Sequence, residues 1–157
     1  MTGILAALTA ITGLAVTGGI VIRQDLRSRE IERWAIHAHA GFIVVAWVLF
    51  TEGRQEDWYG SMAGFFLALL LSGAARWWSR ERRGVEGFGL ADVIILGAYG
   101  WALGISFLGH FLLLAVIITL ALMQAGLSGN QSQDQQEIAF CPGLVLSGPI
   151  IFVYSMT

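Results

Sequence analysis

The stretch LADVIILGAYGWALGISFLGHFLLLAVIITLALMQA, Leu90 to Ala125, decides the fold class. As one helix it would run roughly 54 Å at about 1.5 Å per residue, against a hydrocarbon core of about 30 Å. It therefore predicts two spans, about 90–104 and 105–125, joined by a tight turn near Ser106. Gly100, Gly104, Gly109 and His110 are all that softens it. Asp92 is the only acid between Leu90 and Met123. A charge deep in a bilayer costs about 2.5–3.5 kcal/mol on insertion scales, so Asp92 needs a reason to be there.

Working outward, four further apolar runs cover about 3–22, 34–51, 58–78 and 140–155. The last is short and opens on Cys141-Pro142-Gly143, so five helices plus a re-entrant segment is the alternative layout. The reading is an all-α membrane protein, one polytopic domain over 1–157, with about six transmembrane helices in one compact bundle. Composition agrees: 56% of the 157 residues are apolar and 13% charged, about half the charged share of a soluble domain. The N-terminal run lacks a positive n-region and a clear cleavage site, so it reads as a retained helix and not a removed signal. A net charge of −2 marks no nucleic-acid surface. The single Cys excludes an internal disulfide and any Cys-based zinc motif. The Gly/Ser/Gln/Asn-rich segment 126–137 reads as a connection.

All nine basic residues are Arg. Four follow the first run (Arg23, Arg27, Arg29, Arg33) and four lie at the end of the third (Arg76, Arg80, Arg82, Arg83). Arg54 stands alone among Glu52, Glu56 and Asp57. The positive-inside rule puts the two Arg-rich loops in the cytoplasm and both termini outside. Asp25, a few residues past the first run, and Asp92, at the start of the fourth, then share the cytoplasmic face. Two carboxyls held close cannot both ionise easily, so one serves as acid and the other as base, as in an aspartic protease. The plainer readings are a helix N-terminal acid for Asp92 and an interfacial ion pair for Asp25.

Three segments carry a resemblance. Asp25-Leu26-Arg27-Ser28-Arg29-Glu30-Ile31 is similar to the first aspartate motif of the type IV prepilin peptidases, which follows their first helix. Gly87-Phe88-Gly89-Leu90-Ala91-Asp92-Val93 resembles their Gly-x-Gly-x-Gly-Asp motif at the fourth helix. Ile138-Ala139-Phe140-Cys141-Pro142-Gly143-Leu144 resembles their closing Ile-Pro-Phe-x-Pro-x-Leu. The resemblance implies a membrane aspartic endopeptidase of the bacterial inner membrane that cuts leader peptides of prepilin-like proteins at the cytoplasmic face. It implies Asp25 and Asp92 as the catalytic pair, supported by Gly87, Gly89, Arg27 and Arg29, with no metal or other cofactor needed. The single Cys matches a short form without the Cys-bearing cytoplasmic segment of the larger members, so no methylation is expected.

The sequence departs from the pattern at four places. Glu32-Arg33 stands where Pro-Asn is expected after Ile31, Ala91 where Gly precedes the second Asp, and Ile94 where a Lys often follows it. These changes raise a second reading, a catalytically inactive subunit on the same scaffold, packed among other membrane subunits. Outside the motifs, His37 and His39 are two apart and share no helix face, so they and His110 are expected to make polar contacts within the bundle. The six Trp read as boundary anchors. Gly13, Gly18, Gly19, Gly97, Gly100 and Gly104 read as small-residue packing positions.

Overall fold

A computed structural model describes residues 2–28, 30–50, 58–83, 89–126 and 140–155. Among the described residues every element is a helix: α1 (Thr2–Ser28), α2 (Arg33–Phe50), α3 (Trp58–Arg83), α4 (Leu90–Gln124) and α5 (Cys141–Tyr154). The first four are long and apolar enough to cross a membrane. Their outward faces carry Leu5, Leu8, Ile11, Val16, Leu70, Leu113, Ile117 and Leu120, all exposed, an arrangement suited to lipid and not to water.

Five helical elements replace the six expected. The two spans predicted over 90–125 form one element of 35 residues, and its break falls at Gly104 instead of near Ser106. Gly104 has φ 65° and ψ 179°, a backbone conformation that a side chain disfavours and glycine accepts. The chain doubles back there. Tyr99 and Phe111 have ring centroids 5.0 Å apart, although a straight helix would separate their backbones by about 18 Å. Likewise Asp92 lies beside Cys141 while Thr119 lies against Gly143, two residues on in α5. In a straight helix Asp92 and Thr119 would be about 40 Å apart. The two arms of α4, 90–103 and 105–124, are therefore antiparallel.

Other boundaries moved for simple reasons. The first run was expected to stop near residue 22, yet α1 continues to Ser28. Arg23, Gln24, Leu26 and Arg27 are good helix formers, and nothing in the segment breaks the ladder. Asp25 is thus on a helix and not in the loop after it. In the same way α3 runs through the arginines to Arg83, and Arg82 stacks 4.6 Å from the centroid of the Trp78 ring. The last run yields a helix of 14 residues, about 21 Å long, shorter than a hydrocarbon core.

α3 packs on α4, α4 on α5 and α2, and α1 on α2 and α5. The core is apolar: Val21, Ala35, Ile95, Leu96, Leu108, Phe111 and Leu144 are buried. α3 and α4 pack glycine on glycine. A Cβ on Gly64 would lie 2.3 Å from the Gly100 carbonyl oxygen, and one on Gly100 would lie 2.6 Å from the Ala68 Cβ. Small residues let the α3 and α4 backbones touch, which is how helices associate where lipid removes the hydrophobic drive. At this end Trp47, Trp58 and Trp101 form a triangle of edge-on rings with centroids 5.2–6.1 Å apart.

We expect Gly100→Val to destabilise the protein in detergent by about 1–3 kcal/mol, because the added methyls meet backbone and Ala68. Gly109→Ala meets nothing within 4 Å, so it should be neutral or stabilising by up to about 1 kcal/mol. Thermal unfolding of the two variants side by side checks the contrast.

Candidate active site

Asp25 and Asp92 come from different elements and meet at one end of the bundle. Asp25 sits near the C-terminal end of α1 and Asp92 in the first turn of α4. They are 8% and 7% exposed, and their carboxyls lie within electrostatic reach of one another. α1 enters this end and the first arm of α4 leaves it, so an antiparallel bundle brings the two acids together from distant points in the chain.

The local sequence explains how Asp92 is held. Gly89 is the N-cap of α4, with φ −74° and ψ 165°. Its N–H donates to Asp92 Oδ2 at 2.9 Å. Asp92 therefore fills the role of a capping acid, as its place after a Gly-rich turn suggests. That bond occupies one oxygen. Oδ1 is buried and makes no hydrogen bond among the described residues. The Cys141 thiol lies beside Asp92 and within electrostatic reach of Asp25 as well.

Of the supporting residues read from sequence, Gly89 is at the site through its N–H, while Arg27 is exposed in the last turn of α1. Gly87 and Arg29 lie outside the described residues. Ala91 takes helical backbone angles, so no positive φ is demanded where a glycine was expected. Ile94 is partly buried against the core.

A second polar group lies deeper in the bundle. His39 on α2 is 1% exposed. Its Nδ1 is 3.0 Å from Thr17 Oγ1 on α1, and its Nε2 is 3.4 Å from the Tyr99 hydroxyl on α4. The Thr17 hydroxyl donates its proton to the Gly13 carbonyl at 2.7 Å. That leaves His39 Nδ1–H as donor to Thr17 and Nε2 as acceptor from Tyr99. Three helices are thus tied by a chain of bonds with one direction. Of the other histidines, His37 is exposed, with Nδ1 2.6 Å from the Arg33 carbonyl, and His110 is exposed beside Phe107. Sequence reasoning placed His39 among bundle contacts but named neither Tyr99 nor Thr17. It also passed over Cys141 as a neighbour of the acids. The signal was present, since Cys141 opens a run predicted to start at the same membrane face.

A family model described as the type IV leader peptidase family matches residues 12–124. The match includes Asp25, Asp92 and the whole of α2 and α3. No curated protein and no solved structure matches the chain.

The proximity of the acids is open to test without any substrate. Replacing either by Asn removes one of two neighbouring buried carboxyls. In a double-mutant cycle of Asp25→Asn and Asp92→Asn, followed by thermal unfolding in detergent, we expect a coupling of about 0.5–3 kcal/mol. Additive effects would mean the carboxyls do not sense each other.

Proposed function

The chain belongs to the type IV leader peptidase family, and we propose that it is a membrane aspartic endopeptidase that cleaves the leader peptides of prepilin-like proteins. The observation that carries this reading is the meeting of Asp25 and Asp92, both buried, at one end of an apolar bundle. Such a pair is suited to hydrolysis. One carboxylate takes a proton from water while the water oxygen attacks the peptide carbonyl carbon, and the other carboxyl gives its proton to the carbonyl oxygen. Collapse of the diol then breaks the C–N bond as the amine nitrogen gains a proton. The two acids act as a unit, so neither is assigned a fixed role.

In this reading the whole chain, 1–157, is one polytopic unit in the bacterial plasma membrane. The Arg-bearing ends of α1 and α3 face the cytoplasm, where the positive-inside rule puts them. The acids then lie at that face, and the exposed Arg23 and Arg27 offer cationic contacts to a leader or to lipid headgroups. The second reading, an inactive subunit of a larger membrane complex, rests on Glu32, Arg33, Ala91 and Ile94.

A cleavage assay in detergent against a range of prepilin-like leaders separates the two. We expect cutting by the unmutated chain, and a loss of at least about 100-fold in Asp25→Asn and in Asp92→Asn. The double replacement should cost little more than either single one, because the acids work together. A folded protein that cuts no leader would favour the inactive subunit.

A further inference from the structure

His39 takes no part in the proposed hydrolysis, yet it is buried in the bundle and bonded through both ring nitrogens. An ionisable side chain in an apolar membrane bundle is costly and calls for a reason. The places of its partners supply one.

Thr17 lies eight residues before Asp25 on α1, and Tyr99 lies seven residues after Asp92 on the first arm of α4. At about 1.5 Å per residue these are offsets of roughly 12 and 10 Å. The two helices run in opposite directions, so Thr17 and Tyr99 stand at one level, about two turns deeper than the acids. Thr17, Val21 and Asp25 are all buried on α1, as are Asp92, Leu96 and Tyr99 on α4. Steps of three and four keep each set on one helix face. The acids and the bridge are thus two polar rungs between the same pair of helices.

α1 packs on α2 and α5, and α4 packs on the same two helices, so the acid-bearing elements are joined chiefly through intermediaries. His39 on α2 is one of them, 3.0 Å from Thr17 Oγ1 and 3.4 Å from the Tyr99 hydroxyl. Glycines seat both rings. A Cβ on Gly18 of α1 would lie 3.2 Å from His39 Cε1, and one on Gly148 of α5 would lie 2.0 Å from Tyr99 Cζ. We propose that this bridge fixes the register of α1 against the first arm of α4, and with it the spacing of Asp25 and Asp92, making His39 a positioning residue of the acid pair. Its effect on cleavage rests on the peptidase reading, whereas the register does not.

Apolar packing is non-directional and tolerates small slides, while a hydrogen bond weakens steeply as its angle and length depart from the optimum. One helix carries both Thr17 and Asp25, so a slide that misplaces the acid also strains the bond to His39.

The bridge can be cut at either end with little change of shape. Tyr99→Phe removes one hydroxyl and keeps the ring against Gly148, and Thr17→Val replaces the other hydroxyl by a methyl. We expect each to lower kcat about three- to tenfold at unchanged KM. The two together should cost little more than one, because a chain cut once is already broken. Thr17→Ser keeps the hydroxyl and should stay within about twofold of the unmutated rate. Without substrate, the coupling between Asp25→Asn and Asp92→Asn in thermal unfolding should fall to less than about half in either background. A coupling unchanged in both backgrounds would overturn the proposal, as would cleavage at the unmutated kcat by both variants. Additive acids in the unmutated chain would overturn it too. If no leader is cut but the coupling falls, the peptidase reading falls and the register stands.

Discussion

The reversal of α4 at Gly104 is the constraint on which the rest of the bundle depends. A 35-residue apolar helix cannot lie within one bilayer without a break, and a single left-handed residue supplies one. The corner is braced by α3, whose Gly60 and Ser61 backbone lies within 3.6 Å of where a Gly104 Cβ would be. Once the chain turns there, the far ends of both arms return to the same end of the molecule. One end carries Asp92 and the other carries Thr119, and the first turn of α5 is packed against both. The site is therefore a consequence of the corner, although the corner lies at the opposite end of the bundle.

Among the described residues, one group of polar side chains in this bundle is mutually satisfied. His39, Thr17 and Tyr99 satisfy one another across three helices, which is the arrangement expected where unpaired polar groups are costly. The chain ends on the Gly13 carbonyl, so every proton in it has an assigned acceptor. Asp92 is different in kind. It has one satisfied oxygen and one that makes no hydrogen bond among the described residues, and a second acid lies nearby. A buried pair of carboxyls does not stabilise a fold. Their cost has to be carried by the packing around them, and here the Gly89 cap and the α4–α5 contact provide it.

Much of this could be read from the sequence. The apolar runs and the Arg asymmetry gave the helices and the common face of Asp25 and Asp92. The motif glycine at position 89 pointed to a helix start. What could not be read was decided by packing. Leu90 to Ala125 holds several glycines, and which of them turns depends on α3 fitting against Gly104. The extension of α1 through Asp25 was missed because a charged segment reads as a loop, while its residues are good helix formers. Cys141 was legible as a helix start but not as a neighbour of the acids, since that needs α5 to dock between the arms of α4 and α1.

The four departures from the motif pattern weigh less once placed in the fold. Ala91 lies inside the first turn of α4 with helical angles, so the freedom of a glycine has no use there. Ile94 is partly buried against the apolar core, where a lysine would need a polar exit. Glu32 and Arg33 are exposed at the junction of α1 and α2. The Glu32 N–H donates to the Gln24 side chain at 3.1 Å, and its carboxylate accepts from the Trp34 indole. Those bonds give the junction local support of a kind that a Pro-Asn pair would supply by rigidity and turn chemistry. None of the four disturbs the reversal of α4 or the Gly89 cap. Divergence at these positions leaves intact the packing that brings the two acids together.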